Sequence, residues 1–317
     1  MKQWLCIFLA AAALVSSHPE NTGSPSVSVC GNDVVELFCG EHYTEEGCQA
    51  FDAEGNDISE RVEITGEVCT WLPAEYELTY SVKESDSTTL SCTRKIRVLP
   101  KELPETVNPE KTIYLTFDDG PGEYTDELLT LLDDFDAKAT FFIVGKQLEL
   151  YPEQIDRIVA SGHSAGIHCY YHEYKYVYSS ENTFVEDMLK TREMIYELSG
   201  YTADILRFPG GSATAAAYAG NKIDGGFERL SGIIEDLGMR YYDWDVSADP
   251  MDDGLEHSVR RTEKTAESMD YTIVLEHDTK STCVEATRKL LEWGIENGYS
   301  FKALDLSVPE THSITQS

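Results

Sequence analysis

An apolar run that stops on two adjacent carboxylates constrains this chain more than any other feature. Ile113-Tyr114-Leu115-Thr116-Phe117 reads as a strand, and Asp118-Asp119-Gly120-Pro121 follows at once. A strand needs no acid at its end, and neighbouring anions repel. Side chains alternate along extended chain, so one acid can bind a metal while the other faces a reaction centre. Further along, His168-Cys169-Tyr170-Tyr171-His172 places two imidazoles at i and i+4, a spacing that shares one face on a helical turn. Alone, Asp-Asp-Gly reads as a turn and the histidine pair as surface or core. Together they point to a metal site: one carboxylate and two histidines bind, water keeps an open position, and the second carboxylate is free to act as a base.

From Lys111 onward strands and helices alternate. Strands are expected at Ile113–Phe117, Ala139–Val144, Ile205–Phe208, Tyr241–Val246 and Tyr271–His277. Helices are expected at Thr125–Phe135, Tyr151–Ser161, Asn182–Ser199, Gly226–Leu237, Ser258–Ser268 and Cys283–Asn297. Such repeats imply an α/β fold, a distorted (β/α) barrel with parallel strands inside and chemistry at their C-terminal ends. Residues 29–100 read differently. Short β runs at Val34–Phe38, Arg61–Val68, Tyr76–Val82 and Lys95–Val98 are separated by turn residues, which predicts a small all-β sandwich. Residues 101–110, with two prolines and mixed charge, read as a linker, and 307–317 as a flexible tail. Residues 1–17 read as a signal peptide, an apolar run from Trp4 to Val15 followed by small Ser16-Ser17, and 18–28 as a flexible leader.

Composition narrows the partners. The formal net charge is −32, so nucleic acid, which needs clustered Lys and Arg, is excluded as a partner. No segment is suited to a stable membrane span. Five cysteines, Cys30, Cys39, Cys48, Cys69 and Cys92, fall in the small β domain, which in an exported chain suggests disulfides. The chain is therefore expected to be secreted, as an extracellular or cell-wall-associated protein.

Two further strand ends carry polar groups. Arg207-Phe208-Pro209-Gly210-Gly211 lets backbone approach a ligand, and Leu275-Glu276-His277 ends a strand with a residue whose charge changes near neutral pH. With these, the chain resembles the polysaccharide deacetylases of the NodB-homology type, carbohydrate esterase family 4, over about residues 111–306. TFDDGP stands at Thr116–Pro121, H-x-x-x-H at His168–His172, R-x-P at Arg207–Pro209 and L-x-H at Leu275–His277. The runs Arg207–Ser212 and Tyr241–Trp244 are similar to those of clostridial cell-surface members, which deacetylate peptidoglycan N-acetylglucosamine. Phe51–Ser59 and Glu75–Val82 resemble bacterial Ig-like modules.

The resemblance implies Asp118 as catalytic base, Asp119, His168 and His172 as metal ligands, and Arg207 as the partner that tunes Asp118. It implies Gly210 as an oxyanion donor through its backbone N–H, His277 as the acid, and Trp244 and Leu275 as the pocket for the acetyl methyl. It implies one divalent metal, Zn2+ by default, with Co2+, Ni2+, Mn2+ or Fe2+ able to occupy such a site. Three positions depart from the family pattern. Cys169 replaces a Ser or Thr, and its thiol is itself a soft ligand. Gly210 replaces an aromatic residue. The carboxylate expected to tune His277 falls on Asp249 only with a one-residue gap, with Asp245 as the alternative. Asp278 reads as a cap or turn. The expected activity is hydrolysis of N-acetyl groups from peptidoglycan or a chitin-like polymer. The same residues would serve an acetyl-ester (xylan-type) esterase, and a catalytically weak glycan-binding protein is the reading from another class.

Overall fold

The computed structural model describes residues 24–85, 88–250 and 254–312, so the expected signal peptide lies outside the described residues. The chain forms two compact units that divide between Lys101 and Glu102.

The first unit is an all-β, Ig-like region. Its strands are β1 (Ser26–Val29), β2 (Val34–Phe38), β3 (Cys48–Phe51), β4 (Glu63–Thr65), β5 (Ala74–Ser85) and β6 (Thr88–Leu99). β1 pairs with β3, and the larger sheet runs β2-β6-β5-β4. The alternation read in the sequence sets its core: Leu78, Tyr80 and Val82 of β5 and Arg94, Ile96 and Val98 of β6 are buried at every second position. The buried Arg94 is paired with Glu45 at 2.6 Å. Three expectations change. Residues 26–28 of the expected leader belong to β1. The expected strand Arg61–Val68 shrinks to Glu63–Thr65, because Ser59–Arg61 winds into a 3-10 turn and Gly66 adopts a φ of 114°. The expected disulfides do not join Cys30, Cys48 or Cys92, which carry thiols.

The second unit is a curled parallel sheet wrapped by helices. Its strands are β7 (Thr112–Asp118), β8 (Thr140–Val144), β9 (Ser164–Cys169), β10 (Ile205–Leu206), β11 (Arg240–Tyr241), β12 (Val246–Ser247), β13 (Tyr271–His277) and β14 (Ser300–Phe301). The order is β11-β10-β9-β8-β7-β13-β12, with β14 beside the start of β7. All these neighbours run parallel, and among the described residues β11 and β12 do not pair, so the barrel stays open as a half-barrel. β7 and β8 are buried along their whole length, which is why they read as unbroken apolar runs.

The helices are α1 (Thr125–Asp134), α2 (Gly145–Leu148), α3 (Pro152–Ala160), α4 (Tyr174–Val177), α5 (Glu181–Ser199), α6 (Gly211–Ala219), α7 (Gly226–Asp236), α8 (Leu255–Glu267) and α9 (Ser281–Glu296). α1 buries Leu128, Leu129, Leu131 and Leu132, the stripe its periodicity predicted. Ser180 opens α5 by accepting a hydrogen bond from the Thr183 N–H at 3.1 Å, and Gly200, at φ 68°, closes it. Among the described residues, no helix is long and apolar enough to cross a membrane.

The expected strand Tyr241–Val246 is broken. Tyr242 and Asp243 turn their carbonyls to Arg207, and only the two ends of the segment join the sheet. The expected tail is ordered through residue 312. Val308 is buried, the Asp243 N–H donates to the Thr311 carbonyl at 2.8 Å, and His312 stacks flat on Tyr241 with centroids 4.2 Å apart. Part of the expected linker also docks here, with Arg240 donating to the Pro104 carbonyl and the Val107 N–H to that of Ser307. The physical reason is the open edge at β11, which needs cover for its backbone groups.

His163 is buried, and its Nδ1 accepts a hydrogen bond from the Ala139 N–H at 3.1 Å, so it is structural. Burial pushes its pKa down to about 4 from an ordinary 6.5. The unfolded chain then binds the proton more readily, so this contribution to stability is present above pH 6.5 and lost as pH falls toward about 4. Urea midpoints measured between pH 7.5 and 4 should fall less steeply for His163→Gln than for the parent chain.

Candidate active site

The C-terminal ends of the central strands converge on one cluster of polar groups. Parallel pairing sets Asp118, the last residue of β7, opposite His277, the last of β13. Asp119 lies one residue past the ladder with φ 71°, a left-handed conformation that Asp tolerates better than most residues. His168 lies near the end of β9 and His172 in the turn after it, so the pair meets across a strand end and not on a helical turn as expected. Their rings lie 5.2 Å apart. That turn is held by a residue the sequence did not single out. Asp187, buried on α5, accepts the Tyr170 N–H at 2.7 Å and the Tyr171 N–H at 2.9 Å.

Asp119 Oδ1 is 3.5 Å from His168 Nε2 and 3.2 Å from His172 Nε2. This oxygen is buried and, among the described residues, has no hydrogen-bond partner. The His168 Nδ1 lies 2.8 Å from the Arg207 carbonyl, which can only accept, so Nδ1 carries the proton and Nε2 presents its lone pair. Burial lowers the His168 pKa, with Asp118 and Asp119 opposing incompletely, which keeps the ring neutral. Ligand atoms at about 2.0–2.1 Å from one ion, at tetrahedral angles, lie about 3.4 Å apart, so the three donors fit a divalent metal. Cys169 is buried outside this donor group, and its thiol pKa is pushed well up by burial, which argues against ligation.

Asp118 is buried and fixed by Arg207 Nη1 at 2.8 Å from its Oδ1. Its Oδ2 is 3.9 Å from His168 Nε2, on the side of the metal donors. Arg207 is fully buried, yet its donors are used. Nε donates to the Tyr242 carbonyl, Nη2 to that of Asp243, each at 2.8 Å, and Nη1 also to the Thr116 hydroxyl at 2.6 Å. Its guanidinium lies 4.3 Å from the Phe142 ring centre. Gly210 adopts φ 74°, a left-handed conformation that favours glycine, and a Cβ there would crowd the Tyr174 hydroxyl at 2.9 Å. Trp244 packs against neighbouring Gly211, and Leu275 is buried on β13.

On the far side, His277 Nδ1 meets Asp249 Oδ2 at 2.5 Å, and His277 Nε2 is 3.7 Å from Asp119 Oδ2. Burial alone would lower the His277 pKa. The hydrogen bond and charge of Asp249, with Asp118 and Asp119 nearby, outweigh it and raise the pKa above the ordinary histidine value. Lys280, also missed in the sequence, donates to the same Asp249 oxygen at 2.7 Å. Asp245, the alternative partner, is committed elsewhere, since its Oδ2 accepts the Ile273 N–H at 2.7 Å. Ser212 donates to buried Asp243 at 2.5 Å and not to a basic histidine, so it is not set up as a nucleophile. Of the tyrosines that follow His168, Tyr170 and Tyr178 are core, Tyr171 and Tyr176 stand exposed as an edge-to-face pair, and the Tyr174 ring lies against His172.

This is a parallel half-barrel with a candidate His/Asp metal site flanked by one fixed carboxylate and one carboxylate-paired histidine. The polysaccharide deacetylase family model matches residues 105–224, and that of the Ig-like domain of bacterial surface proteins matches 27–98. A peptidoglycan-N-acetylglucosamine deacetylase of Bacillus cereus is 32% identical over 195 residues, 61% of this chain and 69% of that protein. The peptidoglycan-N-acetylmuramic acid deacetylase PdaC of Bacillus subtilis is 29% identical over 209 residues, 63% of this chain and 39% of that protein. The crystal structure of the catalytic domain of a peptidoglycan N-acetylglucosamine deacetylase from Eubacterium rectale superposes with a TM-score of 0.62 at 35% identity. It covers 68% of this chain and 98% of that one. The chain belongs to the polysaccharide deacetylase family, the hydrolases of carbohydrate esterase family 4, with an Ig-like domain before the catalytic one.

Removing the Asp249 carboxylate should lower the His277 pKa. If protonated His277 is the acid, the basic limb of the kcat profile of Asp249→Asn should move to lower pH, with kcat down about 100-fold at neutral pH. A pH series of acetate release measures both. Arg207→Met should leave Asp118 buried without its partner and destabilise the unit by about 3–5 kcal/mol, read from urea unfolding.

Proposed function

We propose that the chain is an exported, metal-dependent hydrolase that removes N-acetyl groups from N-acetylglucosamine in peptidoglycan. The observation that carries this reading is the joint geometry of the site. Three metal donors within 4.8 Å of one another stand between a base held by Arg207 and a histidine paired with a carboxylate. The substrate follows from the relatives that act on peptidoglycan, and export from the expected signal peptide.

An amide carbonyl is a poor electrophile, so the reaction needs a strong nucleophile and a polarised carbonyl. A divalent ion held by Asp119, His168 and His172 supplies Lewis acidity and lowers the pKa of water to about 7. Zn2+ is our first choice for two imidazoles and a carboxylate. Asp118 accepts the proton of the attacking water at Oδ2, while Arg207 pins Oδ1 and stops the carboxylate from rotating. The Gly210 N–H donates to the developing oxyanion, an interaction worth about 2.7–4 kcal/mol where such donors have been removed. His277 donates its Nε2 proton to the departing amine, and Asp249 holds the imidazolium through Nδ1–H. Trp244 and Leu275 enclose the acetyl methyl. The likeness to a muramic acid deacetylase favours N-acetylmuramic acid as the second reading for substrate.

Acetate release should be measured on purified peptidoglycan, chitin oligomers and acetylated xylan, with and without chelator. Release from peptidoglycan should stop with chelator, return with Zn2+, and fall at least about 100-fold in His168→Ala. Mass analysis of the muramidase digest then assigns the free amine to glucosamine or muramic acid. Release from xylan alone would make the chain an esterase, and glycan binding without release from any substrate would make it a binding protein.

A further inference from the structure

β13 ends in Glu276-His277-Asp278, and both acids that flank His277 are fully buried. Glu276 turns away from the site to the Thr287 hydroxyl on α9. Asp278 turns toward it. Its Oδ2 accepts a hydrogen bond from the Thr125 hydroxyl at 2.5 Å, and that hydroxyl oxygen accepts the Gly122 N–H at 2.7 Å. Asp278 Oδ1 is buried and, among the described residues, has no hydrogen-bond partner. The carboxyl fills the space beside Gly120, where an added Cβ would lie 2.2 Å from either oxygen. Gly120 is therefore required for room and not for conformation.

The position of this contact gives it meaning. The β7–β13 ladder ends at Asp118 opposite His277. Asp119 and Asp278 each lie one residue beyond it, where no ladder bond fixes the spacing. The Asp119–Gly122 turn is tied to β8 by the Val144 N–H on the Gly120 carbonyl, at 2.8 Å, and to α3 by Gln154 on that of Gly122, at 3.2 Å. Asp278 and Thr125 supply its tie to the strand that bears His277. We infer that Asp278 is a positioning residue. Through Thr125 and the gap at Gly120 it holds the turn that presents Asp119 to His168 and His172, and so sets the spacing between the metal donors and His277. The inference rests on the metal reading of Asp119, His168 and His172.

The test uses the full chain and Zn2+ alone as probe, so it does not depend on the glycan. Thr125→Val keeps the shape and removes the hydroxyl; Thr125→Ser restores it. Asp278→Ala removes the carboxyl; Asp278→Asn keeps an acceptor. Calorimetric titration should show Zn2+ affinity reduced about tenfold or more in Thr125→Val and in Asp278→Ala, and restored largely in Ser and Asn. The double variant should be no worse than the poorer single one, since both break one chain. On a glycan that the parent deacetylates, kcat should fall while KM stays within about twofold. Melting curves identify variants that fail to fold; should Asp278→Ala be one, Thr125→Val against Thr125→Ser decides. Parent-like Zn2+ affinity in folded Thr125→Val overturns the inference, as do additive losses in the double variant. A parent chain that binds no Zn2+, Co2+ or Ni2+ overturns it together with the metal reading. A parent that binds Zn2+ but deacetylates no glycan overturns only the proposed function.

Discussion

The site depends on one buried cation. Arg207 leaves the end of β10 and is wholly enclosed, where an unpaired guanidinium would be very costly. Its side chain therefore recruits the Asp118 carboxylate, the Thr116 hydroxyl and two backbone carbonyls. Its own carbonyl takes the Nδ1–H of His168. One residue thus orients the candidate base, sets the tautomer of a candidate metal ligand and breaks the Tyr241–Val246 strand. A lysine would carry the charge but not the planar fork that reaches these acceptors at once.

Around that centre the two halves of the chemistry are kept electrostatically distinct. His168 is neutral because burial dominates, as suits a metal ligand. His277 is biased toward the imidazolium because Asp249 outweighs burial, as suits an acid. Burial and two bonds compete at Asp249 as well, and there the hydrogen bonds from His277 and Lys280 outweigh burial and lower its pKa. Identical imidazoles are biased toward opposite charge states because burial outweighs the neighbouring carboxylates at His168, while the Asp249 carboxylate outweighs burial at His277. The remaining buried acids serve geometry. Asp187 holds the turn between His168 and His172, and Asp243 caps α6 beside Gly210.

The sequence by itself determined the family, the parallel strand–helix alternation and the short motifs. These are local: TFDDGP, H-x-x-x-H, R-x-P and L-x-H each lie on one strand end, so the residue types and their order were legible. Only the tertiary structure decided the pairings between segments. Ser247 pairs with Leu275 in parallel, and two residues further on Asp249 meets His277, which resolves a gap that counting left open between Asp249 and Asp245. Asp187, Lys280 and the Thr125–Asp278 bond had no motif, because each joins elements that are distant in sequence and adjacent only through the curl of the sheet. The ordering of residues 307–312 was hidden for the same reason. A polar, proline-containing end reads as a tail until the open edge at β11 gives its backbone groups partners.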